Sequence, residues 1–462
     1  MLPGLLWLVA WDALADIDCL ESDPKHRRQA MQNDRLKPFW QGAKLDEMLG
    51  LFSQGCFKKH SHVDLAADIK VFTSRFHYKI KREKGQNTLS KLKVCMVVQG
   101  HKMEEGSDYD DAFAPVPRST AHCILMSLAA ANDMQLHSMD ITQAFIQACW
   151  AALPEKIATV YISPPPGYNE EPGTVYEVIK PLYGIPASAR ALHYTLAKWF
   201  KSRGFIQHGF KESIWIREAD DNHQDTLIVS AHIDDMLCAC ASTPDLTAFK
   251  ADFMSTFDCM DDGEVDEHLG CQIIRDWKTH SITINQTAYA NRVLKAFGFD
   301  TAHPVKTPLE PGIRLTRRDC PAVIDPVLHR RYHQIVGCIS YLVQMTRPDM
   351  AFAYAELSKF VAYPGVKHLQ QAERCLQYLA GTADKGITYS DPGPATRNKL
   401  MAWVDSDFAA DPDTRRSVTG YVCSMNNGPI SWKAKRQTCT TLSSAEAEFV
   451  TASICGQEII YL

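Results

Sequence analysis

Hydrophobic and polar positions alternate and repeat along the chain in a way that separates helices from strands. Residues 16–60 predict mainly helix, with Phe39, Trp40, Ala43, Met48 and Leu51 spaced among charged residues. Between Val71 and Lys102, two alternating runs flank Lys84-Gly85-Gln86-Asn87, the pattern of a β-hairpin. An Ala/Leu/Met helix is predicted over 119–131, then a strand from Gln135 to Ile141. Beyond the loop Pro164-Pro165-Pro166-Gly167 come a strand, Val175 to Ile179, and a helix over 187–203 that ends near Gly204. Two apolar runs, Leu227 to Ala231 and Met236 to Ala241, bracket His232-Ile233-Asp234-Asp235. From 241 to about 380 helices are expected to dominate, with the acidic stretch Asp258 to Glu267 between two of them. A last module begins near Lys399: a strand, a hairpin at Asn426-Asn427-Gly428, a second strand, and a helix opening at Ser443.

Composition narrows the class. The 462 residues are 45% hydrophobic and 22% charged, enough apolar surface for sizeable cores and about three domains. Net charge is −5, so any polyanion site must be local. The predicted hairpin is such a place. Between Val71 and Lys102, eight basic residues (Arg75, Lys79, Lys81, Arg82, Lys84, Lys91, Lys93 and Lys102) face one acid, Glu83. That charge suits either a solvated two-stranded ribbon or a finger that contacts phosphates. The 15 cysteines lack Cys-x-x-Cys spacing, which argues against structural zinc and a disulfide framework and for a reducing, intracellular compartment. No apolar run reaches the roughly 20 residues of a membrane span. The apolar start, Met1 to Ala15, is broken by Pro3 and Asp12 and lacks a basic lead, which favours a buried or misassigned leader over a secretory signal.

The chemistry concentrates on carboxylates at strand ends. Asp234 and Asp235 lie adjacent at a turn between two buried strands, either as an ordinary acidic turn or as hard oxygen ligands for magnesium. Asp140 ends another apolar strand, in Ser138-Met139-Asp140-Ile141-Thr142-Gln143-Ala144-Phe145. Together the three would supply a two-metal site for phosphoryl transfer.

A series of motifs then appears in a fixed order: Tyr109 to Arg118 (YDDAFAPVPR), Met139 to Phe145 (MDITQAF), Pro164 to Tyr168 (PPPGY), Leu182 to Ile185 (LYGI) and His232 to Met236 (HIDDM). They continue with Thr346 to Asp349 (TRPD), Tyr378 to Thr382 (YLAGT), Arg415 to Gly420 (RRSVTG), Ile430 to Gln437 (ISWKAKRQ) and Ser443 to Phe449 (SSAEAEF). In this order the chain resembles the reverse transcriptase of Ty1/copia-type retrotransposons followed by the start of their RNase H, from roughly Phe39 to Leu462. The resemblance implies an α+β fold: a right-hand polymerase of fingers, palm and thumb, followed by a partial RNase H-like α/β module. The implied domains are a leader over 1–38, fingers and palm over 39–240, thumb and connection over 241–395, and a truncated RNase H-like domain over 396–462.

The implied activity is RNA-directed DNA polymerisation, with Asp140, Asp234 and Asp235 as catalytic metal ligands for Mg2+ or Mn2+. The implied partners are an RNA template, a DNA or tRNA primer and dNTPs, with capsid and integrase parts of one polyprotein and no membrane. The implied setting is a cytoplasmic virus-like particle, with the nucleus as a second compartment. Lys93 falls near the triphosphate, Phe145 at the aromatic gate against a ribose 2′-hydroxyl, and Tyr183 and Gly184 in the segment beneath the template base and incoming nucleotide. Asp405 and Glu448 match the first two RNase H carboxylates, with Glu446 a rival for the second. The later strand and aspartate of that fold are missing from the sequence, so this module is not expected to cut RNA. Two positions depart from the family: Cys95 stands where related sequences carry Arg, and His232 where the double-Asp box usually opens with Tyr. Cys95 cannot make the bidentate contacts of a guanidinium. Those departures keep two alternatives open, a catalytically decayed remnant and a co-opted nucleic-acid-binding protein.

Overall fold

The computed structural model describes residues 23–24, 27–32, 34, 36–66, 68–82, 89–209 and 211–462. The expected leader Met1 to Ala15 and the turn at Lys84 to Asn87 lie outside the described residues. The chain divides into two compact units, Met1–Pro115 with Ile141–Gly204, and Val116–Asp140 with Phe205–Leu462.

In the first unit, helix Lys37–Ser53 carries Pro38 in its first turn and buries Trp40, Met48 and Leu51. It packs on the basic hairpin, whose strands Ser74–Arg82 and Leu89–Val98 alternate cleanly. Phe76, Tyr78, Leu92, Val94, Met96 and Val98 turn inward, and Trp40 meets Tyr78 edge to face at 5.4 Å. Helix does not continue to residue 60, as periodicity suggested: Phe57–Ser61 is a strand paired with Thr174–Val178. Gly55, at φ +67°, ends the helix, and the β-sheet partner lies more than a hundred residues away, beyond what a local pattern reports.

The second unit is built around helix Ser119–Ala131, buried at nine positions that include the polar His122 and Ser127. Against it lies a six-stranded sheet in the order Cys259–Glu264, Gln135–Ile141, Asp235–Cys240, Leu227–His232, Lys211–Arg217, Ile206–His208. Met236 to Cys240 are fully buried, which explains why that strand reads as a continuous apolar run. The stretch after 256 departs from the helices expected there. Cys259–Glu264 is an edge strand beside Gln135–Ile141, and Cys271–Asp276 and Ser281–Asn285 pair within a second, four-stranded sheet. The acids at 261–264 sit on strand positions that face solvent, so their polarity hid the strand. Ile273, Ile282 and Ile284 enter the same core as Leu136 and Leu237.

Helices Thr287–Phe297, Pro326–Met345, Ala351–Ser358 and Val366–Ala380 form a further cluster with its own core. The last module follows its sequence pattern. Strands Met401–Asp407, Val418–Met425 and Gly428–Arg436 form a three-stranded sheet, and helix Ser444–Tyr461 packs on it. Asn426 and Asn427 both take positive φ at the tight hairpin, as a type I′ turn requires. The Asn426 amide donates to the Ser127 carbonyl at 3.1 Å, tying this module to the central helix. Among the described residues no helix is long and apolar enough to cross a membrane.

Candidate active site

Strand pairing, not sequence proximity, brings the carboxylates together. Asp235 opens its strand directly opposite Asp140 on Gln135–Ile141 and opposite His232 on the other side. Asp234 occupies the two-residue turn between them with Ile233, whose φ is +61°. A β-branched residue rarely adopts that conformation, and holding it there costs about 1–3 kcal/mol. The surrounding sheet therefore forces the turn that projects Asp234.

Like charges opposite one another in a ladder repel. The Asp235 carboxyl is pushed up to about 6, first by loss of solvent on its inner side, then by Asp234, Asp140 and Asp262. Asp262, on the edge strand Cys259–Glu264, is the member of this acidic group that sequence reading missed. Its signal is the Asp261-Asp262 pair, within the acidic stretch Asp258 to Glu267 expected between two helices. Burial holds the His232 imidazole below its ordinary value despite nearby Asp234, and its Nδ1 is buried with no hydrogen-bond partner.

Among the described residues, no three His, Cys, Asp or Glu side chains are gathered closely enough to hold an ion as they stand. In charge and donor chemistry, however, the group fits a divalent cation: hard carboxylate oxygens, mutual repulsion that a cation would relieve, and an acid held ready to ionise.

The residues expected to meet the nucleotide lie in the first unit. Lys93 and Lys91 line a cavity of about 580 Å3 with Thr142 and Gln143, closed on the helix side by Asp46 and Glu47. Glu47 accepts the Met96 N–H at 3.0 Å, and burial raises its carboxyl. Cys95 stands opposite His77, and Lys79 opposite Lys93, so like charges face each other on one ribbon. Phe145 packs edge to face on Tyr183 at 4.6 Å. Gly184, at φ +91°, approaches so closely that a Cβ there would overlap the Val98 carbonyl oxygen. Gly100 meets the Gly184 carbonyl in the same manner, and the Tyr183 carbonyl accepts the Val98 N–H at 2.8 Å. Tyr183 and Gly184 thus clamp the chain at Val98 and Gly100.

In the last module, Asp405 pairs with Gly420 on the edge strand. Glu448 accepts from both the Ser406 N–H (3.2 Å) and the Ser406 hydroxyl (2.9 Å). Its rival Glu446 is committed to the helix start, where it accepts the Leu442 N–H at 2.7 Å. Ser443 caps the same turn by accepting the Glu446 N–H.

Comparison with known proteins matches residues 57–311, more than half of the chain, to the model of the reverse transcriptase (RNA-dependent DNA polymerase) family. The chain belongs to that family, in its copia-type retrotransposon branch. A retrovirus-related Pol polyprotein from transposon TNT 1-94 of Nicotiana tabacum is 29% identical over 422 residues, 90% of this chain and 31% of the tobacco protein. The corresponding polyprotein from transposon RE1 of Arabidopsis thaliana is 28% identical over 446 residues, 96% of this chain and 29% of its own length. A transposon Ty5-1 protein of Saccharomyces cerevisiae is 26% identical over 324 residues, 70% of this chain and all of that one. The reverse transcriptase chain thus spans just under a third of the Pol polyproteins it matches.

Proposed function

We propose that this chain is the RNA-directed DNA polymerase region of a retrotransposon polyprotein, joining dNTPs to a primer on an RNA template. The observation that carries the reading is the register that sets Asp235 against Asp140, with Asp234 at the adjoining turn. In this reading the second unit supplies the palm and the helical cluster the thumb, the basic hairpin belongs to the fingers, and the last module is RNase H-like. Asp140, Asp234 and Asp235 would hold Mg2+ or Mn2+. When bound, the metal would help ionise the primer 3′-hydroxyl and neutralise charge on the triphosphate. Lys93 attracts the triphosphate by charge, Phe145 crowds a ribose 2′-hydroxyl, and the Tyr183–Gly184 clamp keeps the Phe145 ring in place. Capsid and integrase parts would accompany it in the same polyprotein.

The test is primer extension on an RNA template with Mg2+ or Mn2+. Wild type should extend, and Asp234→Asn should lose on the order of a thousandfold, the scale expected when stabilisation of transferring charge is removed. Equal extension by both would overturn the assignment. A second reading draws on Cys95, which leaves the ribbon without a guanidinium beside Lys93: nucleic-acid binding without chemistry. Salt-dependent binding with no extension by wild type would favour it.

A further inference from the structure

The basic ribbon has one unpaired edge. Strand Leu89–Val98 pairs only with Ser74–Arg82, so along its other side every second backbone N–H needs an acceptor from elsewhere. Two such acceptors are in place. The Tyr183 carbonyl takes the Val98 N–H at 2.8 Å, and the Glu47 carboxylate, on helix Lys37–Ser53, takes the Met96 N–H at 3.0 Å. The first contact joins backbone to backbone and brings no charge. The second sets a negative charge against a strand whose only charged side chains are Lys91 and Lys93.

The surroundings of Glu47 make that charge matter. Glu47, Lys91 and Lys93 line the same cavity of about 580 Å3, and Thr142 and Gln143 add a hydroxyl and an amide to its wall. Two ammonium groups, a hydroxyl and an amide are donors suited to phosphate oxygens. A carboxylate is not. Glu47 and Lys93 are half-buried, whereas Lys91 and the neighbouring acid Asp46 are exposed to solvent that screens them. Burial pushes the Glu47 carboxyl up, while the Met96 N–H and then the charges of Lys93 and Lys91 pull it down, so both lysines act on it through space.

An uncharged amide would satisfy the Met96 N–H as well as a carboxylate does. The charge of Glu47 is therefore surplus to holding the strand, and it opposes any anion that enters the cavity. We propose that Glu47 is a positioning residue for Lys93: it clips the ribbon edge at Met96 and, by its charge, restrains the Lys93 ammonium, so that the cavity holds a triphosphate less tightly than its cations alone would. The inference rests on the polymerase reading for the choice of anion, and it needs no chemistry at Asp140, Asp234 or Asp235.

The experiment is isothermal titration of the full chain with inorganic tripolyphosphate, in EDTA at low salt. Wild type should bind, and Lys93→Gln should weaken binding by about tenfold, the scale of one charge-assisted contact. Glu47→Gln keeps an oxygen for the Met96 N–H and drops the charge, and it should tighten binding by about threefold, as expected of one charge acting through space at a partly solvated site. Glu47→Asp keeps the charge but is one methylene too short for Met96, and it should weaken binding. In Glu47→Gln/Lys93→Gln the threefold gain should vanish. Asp46→Asn, on the exposed part of the same wall, should change affinity less than Glu47→Gln does. Thermal unfolding at the wild-type temperature confirms that each variant is folded. Binding that ignores Lys93→Gln, or Gln and Asp variants of Glu47 that move affinity in the same direction, would overturn the proposal, as would an Asp46→Asn gain equal to that of Glu47→Gln. No primer, template or metal enters the titration, so a chain that fails to extend a primer can still meet these expectations, and a chain that extends one can still fail them.

Discussion

Asp140 and Asp235 are direct cross-strand neighbours, one next to last in its strand and the other opening the strand beside it. No gain in stability explains two carboxylates set opposite each other, since such pairs repel. The arrangement therefore makes a measurable forecast. In EDTA, Asp235→Asn should unfold at or above the wild-type temperature. Adding MgCl2 or MnCl2 at ten times the dissociation constant should stabilise wild type by about 1.4 kcal/mol, and Asp235→Asn by much less. Thermal unfolding with and without metal checks this, and equal metal responses would remove Asp235 from the ligand set.

Phe145 is braced by the edge of Tyr183, so shortening it opens space instead of allowing collapse. Phe145→Val should raise the ratio of kcat/KM for rCTP over dCTP by tenfold or more, in keeping with the 1–3 kcal/mol scale of steric overlap in packed sites. Single-nucleotide insertion measures the ratio, and an active variant with an unchanged ratio would mark Phe145 as a packing residue only.

Gly184 and Gly173 both hold positive φ, near +90°, but only Gly184 is crowded. Gly184→Ala should destabilise the protein by about 3 kcal/mol, combining backbone strain with overlap at Val98. Gly173→Ala, with open space around it, should cost about 1 kcal/mol. Urea unfolding of the two variants side by side gives the comparison.

Arg347 explains why two separate motifs occur together. It is 2% exposed, donates to Asp349 at 2.9 and 2.8 Å, and reaches the Thr382 carbonyl and hydroxyl at 2.9 and 2.7 Å. Tyr378 donates its hydroxyl to the same Asp349. Arg347→Met should cost about 3 kcal/mol or more by stranding Asp349, and Arg347→Met/Asp349→Leu should recover much of that loss. A double-mutant cycle in urea reads out the coupling.

His122 and His268 stack at 5.4 Å in the core, and the His122 Nε2 has no hydrogen-bond partner. Burial, and then the neighbouring imidazoles, push their pKa values down to about 3 and about 4. Unfolded, each titrates near 6.5, so above that pH both are neutral in the folded and the unfolded chain alike. As pH falls from 6.5 towards 4, the unfolded chain takes up protons that the folded histidines refuse, and stability drops. At pH 5 the loss is about 2 kcal/mol per histidine. His122→Leu should narrow the difference between urea midpoints measured at pH 7 and pH 5.

Much of this protein was decided locally, where turn chemistry and periodicity act over a few residues. The Asn426-Asn427 hairpin, the helix opening at Ser443, the alternating basic ribbon, the strand carrying Asp140 and the turn carrying Asp234 all follow from sequence alone. Tertiary structure decided what lies far apart along the chain. Burial of alternate isoleucines made strands of 271–285, and a distant partner made a strand of Phe57–Ser61. It also paired Arg347 with Thr382, stacked His122 on His268, added Asp262 to the acidic group, and chose Glu448 over Glu446 to face Ser406. Above all it set the register that opposes Asp235 to Asp140 across nearly a hundred residues. Register depends on which faces are buried when strands meet, and a one-residue slip would turn Asp235 to the other side of the sheet. No local pattern encodes that choice, because the energy that selects it comes from contacts formed only when the sheet closes.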